Sequence, residues 1–208
     1  MKSEIKYIEY SLPKNYENND SLLFDNPDWN IENITSKTGI KKRWISDNNQ
    51  TSIDLAFEAA SKILKKIDKK KIDTLILVTQ TPDFFLPTSA CLLQHKLGLS
   101  KNTKCFDINQ GCTGFVYGLS VASSLIESKL SKNVLLICAD TYTKFINKND
   151  RTNRPIFSDG ASASIIEQSD QGSIGPFLFG TDGSGYENLI VKEGAARSNF
   201  KSKKNSKP

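Results

Sequence analysis

Two short apolar runs constrain this chain more than anything else in its 208 residues. Thr74–Thr79 (TLILVT) and Asn133–Cys138 (NVLLIC) are unbroken stretches of leucine and β-branched residues, too short to span a membrane and lacking polar alternation. A strand with one wet face alternates apolar and polar residues; a strand apolar throughout is covered on both faces, the habit of parallel sheets. Covering both faces takes helices, and the sequence supplies them. Ile53, Ala56, Phe57, Ala60, Ile63, Leu64 and Ile67 recur at helical spacing behind Thr51, which caps the helix start. A second helix runs from about Thr88 to Leu97 with Gly98 at its C-cap, and a third spans Thr113–Ser128. Glu4–Tyr10 and Lys104–Ile108 read as further strands, and Asp28–Ser36 as a short helix stopped by Gly39 before Ile40–Ile45. Pro155–Glu167 reads as a strand, a sharp Asp159–Gly160 turn and another strand. Lys14–Asp20 is polar, Thr181–Gly185 is rich in turn formers, and Lys201–Pro208 is a basic tail. Buried strands alternating with amphipathic helices imply an α/β protein: a mostly parallel, mixed sheet with helices on both faces.

The segment Cys105-Phe-Asp-Ile-Asn-Gln-Gly-Cys112-Thr-Gly carries the chemistry. A strand runs into it and a helix leaves it, so Cys112 stands at the turn between them. Gly111 and Gly114 flank the thiol and allow the backbone to turn tightly and to approach a neighbour closely. A helix N-terminus offers unpaired N–H groups and the positive end of the macrodipole, which favour a thiolate and a developing oxyanion. That is the arrangement of a nucleophile elbow, with sulfur in place of oxygen. Gly-Cys-x-Gly taken alone equally describes a small packed cysteine; the strand–turn–helix context favours the nucleophile.

The remaining features exclude more than they assign. The formal net charge is +5, with lysines interleaved with acids outside the tail, so no nucleic-acid footprint stands out. No apolar run reaches membrane-spanning length, and MKSEIKYIEY lacks the apolar core of a signal peptide. Cys91, Cys105, Cys112 and Cys138 show neither CxxC pairing nor a histidine at metal-ligand spacing; no metal site or disulfide framework is expected, and a cytoplasmic setting is. Cys91, Cys105 and Cys138 read as core packing. The single histidine, His95, lies on a surface helix with nothing to place it near Cys112.

A set of motifs in order resembles one family. Thr38-Gly39-Ile40-Lys-Lys-Arg43, Thr81-Pro82-Asp83, Leu86-Pro87-Thr88-Ser89-Ala90, Gly111-Cys112-Thr113-Gly114-Phe115, Asp150-Arg151, Phe157-Ser-Asp159-Gly160-Ala161 and Asp182-Gly183-Ser184 follow the pattern and spacing of β-ketoacyl-acyl-carrier-protein synthase III. The resemblance spans roughly residues 1–197. It implies a thiolase-like layered fold, here the N-terminal half of a duplicated architecture, with residues 1–180 as the cysteine-bearing domain and 181–208 as a connecting segment. It implies an acyltransferase in which Cys112 takes an acyl group from acyl-CoA and condenses it, with loss of carbon dioxide, onto malonyl-acyl-carrier protein, without a further cofactor. By the same match Lys37 and Arg151 lie near the coenzyme A phosphates and adenine; Tyr142, Phe157 and Leu189 line the acyl pocket; and Leu86 closes that pocket from the partner of a homodimer. The family's remaining catalytic histidine and asparagine come from its C-terminal half, so the chain is expected to be truncated. Asn33 stands where the family stacks the adenine on tryptophan, with Trp29 one turn earlier as the substitute or as a packed residue. The alternatives are another thiolase-superfamily acyltransferase and a non-catalytic dimerisation or binding remnant.

Overall fold

The two apolar runs lie side by side at the middle of a sheet. The computed structural model describes residues 2–172, 174–195 and 197. In it, β4 (Thr74–Val78) pairs in parallel with β6 (Asn133–Asp140) on one side and with β5 (Lys104–Ile108) on the other. Antiparallel β7 (Gly160–Ser169) follows β6, and β1 (Lys2–Ser11) closes the sheet against β7, giving the order β1-β7-β6-β4-β5. Because β1 opposes β7 and β7 opposes β6, β1 runs with β4, β5 and β6; β7 alone is reversed. A separate two-stranded ribbon pairs β2 (Asn15–Asn18) with β3 (Lys42–Ile45).

Every residue of β4 is buried, as an apolar run requires. Its side chains alternate between two cores. Leu75 and Leu77, with Leu135 and Ile137 of β6, meet the helices α3 (Ser52–Ile63) and α4 (Ser89–Leu97). Ile76 and Val78, with Val134 and Leu136, meet α5 (Gly114–Glu127) through Ala122 and Ile126. Each fully buried leucine or isoleucine in these layers contributes about 1.5–3 kcal/mol. The α3 start is a full capping box: Thr51 Oγ1 accepts from Asp54 N at 3.4 Å, and Asp54 Oδ2 accepts from Thr51 N at 3.1 Å. The short helix read before Gly39 is α2 (Ile31–Thr38), and Gly39 ends it at φ 71°, a left-handed conformation suited to glycine.

Three expectations need correction. Pro155–Glu167 is not a hairpin: only β7 is a strand, and it begins at Gly160. Residues 155–159 are held against the β3 ribbon instead. Arg43 Nη1 donates to Pro155 O at 3.1 Å, Trp44 N donates to Ser158 Oγ at 2.7 Å, and Asp159 N donates to Trp44 O at 2.8 Å. The buried Asp159 carboxylate accepts from Ser46 N, Thr143 N and Thr143 Oγ1, which ties the segment to residues beyond β3 and β6. Secondly, the polar stretch at Lys14–Asp20 contains β2 and the start of α1 (Asn19–Asp25), which Asn18 caps by accepting from Ser21 N at 2.9 Å. Nothing apolar alternates there; the strand exists because β3 pairs with it. Thirdly, Cys91 is exposed rather than packed, while Cys105 and Cys138 are half-buried.

The chain divides into two compact units, Met1–Pro176 and Phe177–Pro208. In the second, Phe177 and Phe179 stack with centroids 5.7 Å apart, and a short 3₁₀ helix over Gly183–Asn188 starts where Asp182 accepts from Ser184 N at 2.9 Å. The basic tail Lys201–Lys207 lies outside the described residues. No described helix is long and apolar enough to cross a membrane.

Candidate active site

Cys112 occupies the turn that joins β5 to α5, and it is exposed. The turn is closed by Gly114 N donating to Gly111 O at 2.8 Å, after which Tyr117 N donates to Thr113 O at 3.2 Å to open the helix. Thr113, at the N-cap, makes no side-chain capping bond. The first turn of α5 is pressed onto the sheet. A Cβ at Gly114 would lie 2.3 Å from Val78 Cγ1, and one at Gly118 2.6 Å from Leu136 Cδ1. Both positions therefore need glycine, and both hold the helix start, with its thiol, at the C-terminal ends of β4 and β6.

The ends of those two strands build the wall beside the sulfur. Asp140, the last residue of β6, accepts from Gln80 N at 2.8 Å, Thr81 Oγ1 at 3.0 Å and Thr79 Oγ1 at 3.2 Å. Burial pushes its carboxyl above the usual range, against the pull of those donors. Two residues on, the Tyr142 hydroxyl donates to Gln80 Oε1. The Tyr142 phenol is pushed up to about 12, first by burial and then by the negative charges of Asp140 and Cys112. Its ring meets Phe157 at a tilt, centroids 5.3 Å apart. Two of the aromatic residues expected at an acyl pocket, Tyr142 and Phe157, are thus brought together, and Tyr142 is coupled electrostatically to Cys112. Phe157 also lines a cavity of about 270 Å³ with Ile45, Ser46, Thr143, Lys144 and Arg154, which Cys112 does not reach.

The other expected residues lie apart from this group. Lys37 is exposed in the last turn of α2 and Arg151 in the turn before Pro155; among the described residues neither makes an ion pair. Leu86 is 86% exposed, with Phe84 and Phe85 also exposed in the same loop. Leu189 belongs to the second unit and is itself exposed. Trp29 is buried and so packs as a core residue, while Asn33 is exposed on α2. His95 is exposed on α4. Among the described residues no group of His, Cys, Asp and Glu is placed to hold a metal ion.

Two of the three other thiols differ sharply from Cys112 in surroundings. Burial pushes Cys105 up to about 11 and Cys138 up to about 12, with Cys91 and Asp107 adding to the first and Asp140 to the second. Sequence reasoning passed over Gln80, Asp107 and Asp140. For Asp140 a signal existed, an acid ending an apolar strand; for Gln80 none did, because its role depends on which strand end lies next to it.

A thiol on a strand–helix turn, above a sheet packed by helices on both faces, is the nucleophile-elbow arrangement of a layered α/β protein. The comparisons place it more closely. The family model of 3-oxoacyl-[acyl-carrier-protein] synthase III matches residues 106–183, which include Cys112. A putative 3-oxoacyl-[acyl-carrier-protein] synthase 3 of Campylobacter jejuni is 41% identical over 201 residues, covering 94% of this chain and 56% of the relative. A beta-ketoacyl-[acyl-carrier-protein] synthase III of Fusobacterium nucleatum is 39% identical over 193 residues, covering 90% of this chain and 57% of the relative. A crystal structure of a 3-oxoacyl-(acyl-carrier-protein) synthase III superposes with a TM-score of 0.92 at 43% identity, over 97% of this chain and 61% of that one. The corresponding enzyme of Pseudomonas aeruginosa gives 0.84 at 32%, over 94% and 62%. Over nearly all of its residues the chain resembles the 3-oxoacyl-[acyl-carrier-protein] synthase III family. It spans little more than half the length of the curated relatives it matches.

Proposed function

We propose that this chain is the cysteine-bearing half of an acyltransferase that builds 3-oxoacyl-acyl-carrier protein, with Cys112 as the acyl acceptor. The observation that carries this is the exposed thiol at the start of α5, beside Tyr142. In the first stage the Cys112 sulfur attacks the carbonyl carbon of an acyl-CoA thioester; the carbon–sulfur bond to coenzyme A breaks, and coenzyme A leaves as the thiol with the proton. Backbone N–H groups at the helix start are the donors for the oxyanion. In the second stage malonyl-acyl-carrier protein loses carbon dioxide. The carbanion left behind forms a carbon–carbon bond to the acyl carbon and releases the cysteine sulfur. The relatives' histidine and asparagine, from the half this chain does not span, would stabilise the enolate of that stage. The thiol and the two thioesters suffice without a further cofactor.

The same reading assigns the outlying residues. Lys37 and Arg151 are exposed cations suited to coenzyme A phosphates, and Tyr142 and Phe157 contact the acyl chain. Residues 1–180 are the thiolase-like domain. Phe84, Phe85 and Leu86 form an exposed apolar group whose burial between two copies would make a homodimer with Leu86 at the partner's acyl site. The setting is the cytoplasm. The test is intact-mass analysis after incubation with acetyl-CoA: a gain of one acetyl group, mapped to Cys112 and absent in Cys112→Ser, is expected. Acetylation that survives Cys112→Ser would overturn the assignment.

A further inference from the structure

We propose that Gln80 is a specificity-determining residue which, by holding the Tyr142 hydroxyl beside Cys112, restricts the acyl group accepted at the sulfur to short chains. The inference rests on Cys112 being the acyl acceptor. Three observations meet at one place. The Gln80 carboxamide oxygen accepts from the Tyr142 hydroxyl, which ties the end of β4 to the end of β6 across the front of the site. The backbone of Gln80 is fixed independently, its N–H on the half-buried Asp140 carboxylate at 2.8 Å, so the side chain leaves from a set position. The bridge then lies directly on the residue preceding the nucleophile: a Cβ at Gly111 would sit 2.5 Å from Gln80 Oε1 and 3.3 Å from the Tyr142 hydroxyl.

The wall beside the sulfur is therefore a pair of polar atoms satisfied by one another. A two-carbon acyl group on Cys112 leaves the pair intact. A longer hydrocarbon chain running along that wall has to part it, putting methylene groups where the hydroxyl and the carboxamide now bond each other. The back of Tyr142 gives no relief, since its ring is packed on Phe157. Gln80 itself is exposed, so removing its side chain opens no hole in the core, and the consequence is read at the sulfur.

Two sets of reagents separate this inference from the acyl-transfer reading. Alkyl methanethiosulfonates from methyl to hexyl modify a thiol without any acyl chemistry, and acetyl-, butyryl- and hexanoyl-CoA require it. Rates at Cys112 are followed by intact mass in a Cys91→Ser background, which removes the other exposed thiol. The unsubstituted bridge should slow the hexyl reagent relative to the methyl one. Tyr142→Phe and Gln80→Leu should each raise the hexyl-to-methyl ratio by about five- to ten-fold, the size of one lost hydrogen bond. Gly111→Ala alone should slow the methyl reagent, and Gln80→Ala in the same chain should restore it, a rescue that general unfolding would not give. Length profiles that are the same in all variants overturn the proposal, even if acyl-CoA acylates Cys112. Profiles that shift as expected, with no acylation by any acyl-CoA, leave Gln80 as the gate at the sulfur and overturn the acyl-transfer reading instead.

Discussion

Two helices of this protein begin at the same end of the same sheet, and their N-termini are treated in opposite ways. At α4 the amides of Ser89 and Ala90 donate to Asp107 at 2.7 and 2.8 Å, a carboxylate brought over from β5. At α5 no side chain caps the start, Thr113 faces only Gln110 at 3.3 Å, and an exposed thiol stands one residue before the cap. One helix end is saturated and contributes to stability; the other keeps its donors available to whatever binds the sulfur. Asp107 and Cys112 are five residues apart on one strand and its turn. A single segment therefore closes one helix end and opens the other.

The largest effect that would break this contrast is in reactivity. Brief iodoacetamide treatment of the folded chain should label Cys112 and Cys91 and spare Cys105 and Cys138. A thiol held at about 11 in place of 9 has about 100-fold less thiolate at a given pH. Peptide mapping before and after denaturation reads this, and equal labelling of all four cysteines in the folded chain would refute it.

Stability comes next. Asp107→Ala should cost about 1–3 kcal/mol in urea unfolding, because two helix-start amides lose a charged acceptor, whereas Thr113→Ala should stay within about 0.5 kcal/mol. Equal costs would mean that α5 is capped after all. Gly114→Ala should cost about 1–3 kcal/mol by overpacking against Val78, while Gly180→Ala, with open space around its Cβ, should be near neutral.

The smallest effect is the most diagnostic of the wall beside the sulfur. The Asp140 carboxyl is raised in the folded state, so its contribution favours folding below the unfolded carboxylate range and is lost as pH rises through the folded value. Asp140→Asn should therefore change the slope of stability above about pH 4, flattening the decline that the ionised carboxylate imposes. The midpoint of urea unfolding across that range checks it. An unchanged slope would show that Asp140 is paid for by its three donors and carries no net penalty.

Much of this was legible in the order of residues. The unbroken apolar runs at β4 and β6 demanded a sheet covered on both faces, since no other arrangement hides Leu75 and Ile76 at once. Thr51 and Gly39 marked helix ends through local backbone chemistry, and the glycines around Cys112 marked the turn. What the sequence left open was non-local. β2 is a strand only because β3 lies beside it. Pro155–Asp159 reads as a strand by composition and is claimed instead by Trp44, Ser46 and Thr143, residues 16 to more than 100 positions away. Asp107 is an unremarkable acid in a strand until β5 brings it under α4. Gln80 and Tyr142 carry no motif; they meet because β4 and β6 are neighbours in parallel and end at the same level. Local propensity and the need to hide apolar surface fixed the layers and the position of the thiol. Which polar groups face one another around it depended on strand order, which no single stretch of the chain encodes.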